Sequence, residues 1–219
     1  MRKVVVAVFA HPDDEAFGPG GTLAHLAFTN DVYLITATGG EAGKNSLSST
    51  SNSLAMIRKN ELLASSKILG VKKVFFLGFE DGTLSNNNYH KVASKLEDLL
   101  KKLKPSIIIT FEPHGVSGHI DHIAISFITT FVTEKLPFVK ELWYYCLLEK
   151  FRKSPANYFI HFPKGYKEHE IDITIDTSCV WKLKKEAMLA HKSQSHDALR
   201  ILKSQEKQPR REYFITYKS

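Results

Sequence analysis

The chain has only two cysteines, Cys146 and Cys179, and neither has a close partner in sequence. That argues against a disulfide and excludes a cysteine-based zinc site. There is no run of about 18 apolar residues, so no membrane-spanning helix is expected. After Met1-Arg2-Lys3 and a short apolar run, no small-residue cleavage site follows, and an acidic motif arrives instead. The start therefore reads as the first strand of a mature cytoplasmic protein and not as a signal peptide. The Gly-rich turn at 18–21 lacks both the G-x-G-x-x-G order and the Walker lysine, which sets aside a phosphate-binding loop. The net charge of +7 favours anionic partners, but it is spread out. Lys101-Lys102, Lys184-Lys185 and Arg210-Arg211 are short pairs, not the basic, aromatic-interleaved stripe that nucleic-acid binding needs.

What is present is a substantial apolar fraction, 43% of 219 residues, with no linker or repeat strong enough to divide it. We expect one domain, with a core over about 3–136 and a C-terminal extension over 137–219. Val4–Phe9 is β-branched and apolar without alternation, the mark of a strand buried on both faces of a parallel sheet. Asp31–Thr38, Val74–Phe79 and Ser106–Phe111 read the same way. Helical spacing separates them at Thr22–Ala27, Leu54–Leu69, Tyr89–Leu103 and Ile123–Leu136. The repeated β-α order predicts an α/β fold, a Rossmann-like three-layer sandwich with a mostly parallel sheet. After Pro137 strands are expected at 141–148, 158–162 and 170–176, the last from its period-2 pattern, with a helix at 180–191. The tail from Ser193 onward gives no clear pattern. The Ser-rich stretch 44–53 is too polar to pack and reads as a loop over the site.

Two clusters sit at strand tips. His11-Pro12-Asp13-Asp14-Glu15 follows the first strand, and Gly118-His119-Ile120-Asp121-His122 follows the fourth. Like charges packed this closely are costly without a cation or proton to hold them. A tight turn can aim His11 and Asp14, three apart, at one ion, while Asp13 points elsewhere as a free base. Taken alone, the first cluster would also suit an Asp-rich surface turn capped by His11. In a parallel sheet both tips open on one edge. One His and one Asp from the first cluster and one His from the second make three ligands with an open position, a catalytic zinc pattern. Such a two-His-one-carboxylate set also suits Fe(II) in an oxygenase, and the spare carboxylate argues for hydrolysis instead.

These motifs resemble the LmbE-like, or PIG-L, zinc de-N-acetylases. His11–Glu15 with Gly20-Gly21-Thr22-Leu23 matches their first motif and His119–His122 their second. Gly40-Glu41, Arg58 with Glu61, Leu77-Gly78, Asp81 and His191-Lys192-Ser193-Gln194 match weaker features. The resemblance covers roughly residues 3–195. It implies that His11, Asp14 and His122 bind one Zn2+ per chain, that Asp13 is the general base, and that His119 stabilises the oxyanion or donates a proton. Asp121 would keep His119 protonated. Arg58 and Asp81 would bind sugar hydroxyls, while His191 either lines the pocket or caps its helix. It implies removal of an N-acetyl group from an N-acetylglucosamine-type moiety of a small conjugate, with some self-association. Another metal amidase on this scaffold, cleaving a thiol-conjugate amide, and a silent sugar- or anion-binding module are the other readings.

Overall fold

The computed structural model describes residues 2–44, 51–85, 87–152 and 161–217. The order is β1 (Val4–Phe9), α1 (Asp14–Phe17), α2 (Gly20–Ala27), β2 (Asp31–Thr38), α3 (Ser51–Ile68), β3 (Lys73–Phe79), α4 (Tyr89–Leu103), β4 (Ile107–Phe111) and α5 (Gly115–Gly118). Then come α6 (Ile120–Glu134), β5 (Glu141–Cys146), β6 (Ile173–Asp176), α7 (Trp181–Ala190), α8 (Ser195–Gln205) and β7 (Arg211–Thr216). The seven strands form one sheet in the order β3-β2-β1-β4-β5-β7-β6. The first five are parallel, and β7 runs antiparallel to both β5 and β6. The fold is thus an α/β sandwich with a mostly parallel sheet, as the strand-helix rhythm predicts.

The unbroken apolar run of β1 follows from its central place. Val5, Ala7 and Phe9 face one core layer, and Val6, Val8 and Ala10 face the other. Helices α1, α2, α7 and α8 cover the first face, where Leu23, Met188 and Leu202 are buried, and α4 and α6 cover the second with Leu96, Leu100 and Ile125. β1 pairs with β2 on one side and β4 on the other. The strand order reverses between β1 and β4, which opens a crevice at their carboxyl ends, where open α/β sheets bind ligands. Both motifs lie there.

Several boundaries differ from expectation. The patternless tail contains α8 and β7, and β7 is an interior strand of the sheet. β6 is shorter than its alternation implies, because Glu168–Glu170 form a 3-10 turn closed by the Lys167 N–H on Glu170 Oε2 (2.7 Å). Of the strand expected at 158–162, residues 158–160 lie outside the described ones, and His161 and Phe162 belong to no strand. The centre of the Ser-rich stretch, 45–50, is likewise outside, while Ser51 already opens α3. Among the described residues no helix is long and apolar enough to cross a membrane.

Candidate metal centre

The tip of β1 turns sharply at Asp13, whose φ of 110° is a conformation L-residues rarely adopt. The turn separates two adjacent acids. Asp14 Oδ2 accepts the His11 N–H (2.8 Å), and Asp14 Oδ1 lies 3.2 Å from His122 Nε2. His11 Nδ1 lies 3.1 Å from that same His122 nitrogen and 3.7 Å from Asp14 Oδ2. The Asp13 carboxylate turns instead to Arg58, with Oδ2 3.0 Å from Nη2.

The second motif is placed by the loop after β4. Its first part, Gly115–Gly118, has room for no Cβ at Gly115 (φ 67°), where one would sit 2.7 Å from the His122 Cβ. That close approach sets the His122 ring. His122 Nδ1 lies 3.1 Å from the Gly115 carbonyl, and the ring stacks on Phe111 at 4.6 Å. Donation to that carbonyl leaves Nε2 with its lone pair toward His11 and Asp14. His11 Nε2 is aimed between Asp81 Oδ1 (2.9 Å) and Asp121 Oδ2 (3.5 Å), so its Nδ1 lone pair meets the same point. This is the carboxylate–histidine support common behind metal ligands.

The donor set fits a divalent cation. Two imidazole nitrogens bound at about 2.0–2.1 Å in a tetrahedral site would stand about 3.3 Å apart, close to the separation seen. Burial opposes a charge on His11, but Asp121, Asp81 and Asp14 outweigh it and raise the imidazole to about 10. Against the effect of burial, His122 and His11 hold Asp14 well below the usual carboxylate range. Binding of a metal there would release a proton. Two groups bring possible ligand atoms within 4.8 Å of one another, His11 with His119 and His122, and His11 with Asp81 and Asp121, and they share the His11 imidazole.

Burial raises Asp13 from 3.8 to about 6, against the pull of Arg58. His119 caps α6: its Nδ1 accepts the Asp121 N–H (3.1 Å), which leaves the ring proton of the neutral form on Nε2. Burial, with the charges on His122 and His11, lowers it to about 4.

Four further residues expected at this centre are engaged by protein groups. Asp121 acts to raise His119, but burial, His122 and His11 outweigh it; its carboxylate accepts the Gly82 (2.7 Å) and Leu84 (3.2 Å) N–H groups and faces His11. Arg58, only 4% exposed, donates to the Gly40 (2.6 Å) and Pro12 (2.5 Å) carbonyls as well as to Asp13. It supports the motif and does not stand open to a sugar. Asp81 is turned to His11 and accepts the Ala42 N–H (3.1 Å). His191 does not line the crevice. It is fully buried, with Nε2 2.8 Å from Glu15 Oε1, and Glu15 in turn accepts from Ser65 (2.6 Å) and the Asp13 N–H (3.0 Å).

Composition and motif reading passed over Lys184 and Glu212. Both are buried and joined at 2.6 Å behind the turn after the first motif. The signal was available in β7, where Glu212 shares a face with Phe214 and so points inward.

Crevice and converging side chains together make a candidate site for a divalent cation. Residues 6–132 match the PIG-L family, described as GlcNAc-PI de-N-acetylase, and the chain belongs to it. It is therefore an enzyme of the de-N-acetylase class. A probable N-acetyl-alpha-D-glucosaminyl L-malate deacetylase 2 from Bacillus cereus is 32% identical over 206 residues, covering 91% of this chain and 87% of the relative. The solved N,N'-diacetylchitobiose deacetylase from Pyrococcus horikoshii superposes with a TM-score of 0.73 at 23% identity, over 98% of this chain and 84% of the other. A 4-carboxy-2-hydroxymuconate hydratase from Pseudomonas putida reaches the same TM-score at 15% identity, covering 99% and 97%. These two structural likenesses speak to the fold alone.

Proposed function

We propose that the protein removes the acetyl group from the amino sugar of an N-acetylglucosaminyl conjugate. A malate-type aglycone is the first candidate, because the Bacillus cereus relative that matches across nearly the whole chain carries that name. The observation that carries the reading is the divergence of two adjacent acids. Asp14 meets His11 and His122, while Asp13 is held apart by Arg58.

His11 Nδ1, Asp14 and His122 Nε2 would hold one Zn2+. When bound, the ion supplies Lewis acidity toward the amide carbonyl and makes water a stronger acid near neutral pH. Asp13 takes the proton that the attacking water sheds. Arg58 grips one oxygen of Asp13 and fixes the carboxylate plane for that transfer. The neutral His119, with its proton on Nε2, donates toward the oxygen on which negative charge grows. It needs no positive charge to do so. Asp13, then protonated, returns the proton to the departing amine.

The test is amine and acetate release from N-acetylglucosaminyl malate and from N,N'-diacetylchitobiose, with zinc-loaded enzyme and with chelator. Release that chelation stops and zinc restores is expected. No amine from either compound, or release indifferent to chelator, would overturn the reading.

A further inference from the structure

Helix α2 begins at Gly20 with no local cap, since Pro19 precedes it and offers no side-chain acceptor. Its first N–H groups still need partners. They find them far away in sequence. Glu212, on the last strand, accepts the Gly21 N–H on Oε1 (2.9 Å) and the Thr22 N–H on Oε2 (2.6 Å). Lys184, on α7, donates to that carboxylate (2.6 Å) and to the Gly18 carbonyl (2.8 Å). Both side chains are nearly inaccessible, with 2% and 4% of their surface exposed.

A buried ion pair is a costly way to join two elements, and apolar residues of similar volume would commonly serve as well. What apolar residues could not do is satisfy three backbone groups of one turn. That turn touches both arms of the metal centre. The Gly18 N–H donates to the Asp14 carbonyl (2.9 Å). A Cβ on Gly18 would lie 3.3 Å from the Phe111 ring, the ring on which His122 stacks. The Gly21 backbone is pressed so closely that a Cβ there would lie 2.6 Å from Thr177 Cγ2 and 2.9 Å from Glu212 Oε1.

We propose that Lys184 and Glu212 are positioning residues for the metal centre. Through the Gly18–Thr22 turn they fix where Asp14 and His122 stand relative to His11. This rests on the reading of His11, Asp14 and His122 as metal ligands. It adds that two residues far from the ligands in sequence set the affinity of that site.

The test compares wild type with Lys184→Met, Glu212→Gln and the double variant, and with Leu202→Ala as a control. Leu202 is buried in the same core layer on α8, and its aliphatic side chain can make no hydrogen bond to the turn. Zinc affinity is measured by competition with a chromophoric chelator, the Co2+-loaded absorption spectrum reports ligand geometry, and Tm reports stability. At matched loss of Tm, the pin variants are expected to bind zinc about tenfold more weakly and to shift the cobalt bands. Leu202→Ala should keep both at wild-type values. In the deacetylation assay the pin variants should lose kcat with little change in KM. If the charge-removing variants do not fold, Lys184→Arg and Glu212→Asp carry the same comparison with smaller perturbations. Wild-type affinity and cobalt spectrum in the pin variants would overturn the proposal alone. A wild-type protein that binds no zinc would overturn the metal reading and the pin with it.

Discussion

Asp13→Asn separates catalysis from architecture at one atom pair. The substitution keeps size and shape, and Asn is among the residues that best accept a left-handed backbone, which matters at a φ of 110°. Arg58 loses its ionic partner but keeps the Gly40 and Pro12 carbonyls. The ligand carboxylate on Asp14 is untouched. Removing a positioned general base lowers turnover by about 100- to 10,000-fold, or roughly 3–5 kcal/mol of barrier. Stability should move the other way in the metal-free protein. Burial raises Asp13 from 3.8 to about 6, so the folded state holds a proton that the unfolded chain releases. Ionisation of Asp13 therefore works against folding as pH rises from about 4 to 6, and the penalty stays in place above that. The gap sets a ceiling of about 3 kcal/mol on what an uncharged residue could recover at pH 7, reduced by the charge that Arg58 no longer shares. Steady-state amine release, a zinc competition titration and urea melts of the metal-free proteins test this together. We expect turnover down at least about 100-fold, zinc affinity within a few-fold of wild type, and a metal-free protein at least as stable. Turnover within tenfold of wild type would remove Asp13 from the proton path. A collapse of zinc binding would show Asp13 to be a ligand.

Three further outcomes follow from the same geometry. His191→Gln keeps a donor to Glu15 but removes the charge. Burial lowers the His191 pKa and Glu15 more than offsets it, leaving it raised above 6.5. The stability that this charge contributes is full below pH 6.5 and is lost as pH rises through the folded value. The Tm gap to wild type should therefore be widest near pH 6 and close in alkali, and a gap constant with pH contradicts the assignment. Arg58→Met should cost about 3 kcal/mol in a denaturant melt, because it leaves Asp13 buried without its partner. It should also cut kcat more than zinc affinity; equal losses in both would argue that Arg58 only shapes the ligand turn. Gly115→Ala forces a Cβ to within 2.7 Å of His122 at a φ of 67°. About 1–3 kcal/mol of strain should appear as weaker zinc binding, and an unchanged titration would show that the loop can move aside.

The core of the sheet was legible because its strands obey one rule each. β2 and α4 fall at their expected residues, since uninterrupted β-branched runs and a clean 3.6 period leave little choice. The metal motif was legible for a different reason: short polar clusters at strand tips have few uses in a parallel sheet. The carboxyl-terminal part was not. β7 carries Arg, Glu and Tyr among its first residues because one inward position holds a salt-bridged Glu212 instead of an aliphatic side chain. Burial of charge defeats any reading by hydropathy. The protein contacts of Arg58, Asp81 and His191 were hidden in the same way. Residue type and spacing say that a polar group is wanted near the site, but not whether it faces a ligand or braces a neighbour. That is settled by long-range contacts such as Arg58 to Pro12 and His191 to Glu15.

The position of β7 has a consequence for how the enzyme comes into being. β7, which follows β5 and β6 in the sequence, is inserted between them, and its Glu212 reaches the turn that follows the first motif. A nascent chain can lay down β1 to β5 in order as it leaves the ribosome, yet the hydrolytic centre stays loosely assembled until residues 211–216 slide into their slot. The architecture ties competence to having been made to the end of that strand.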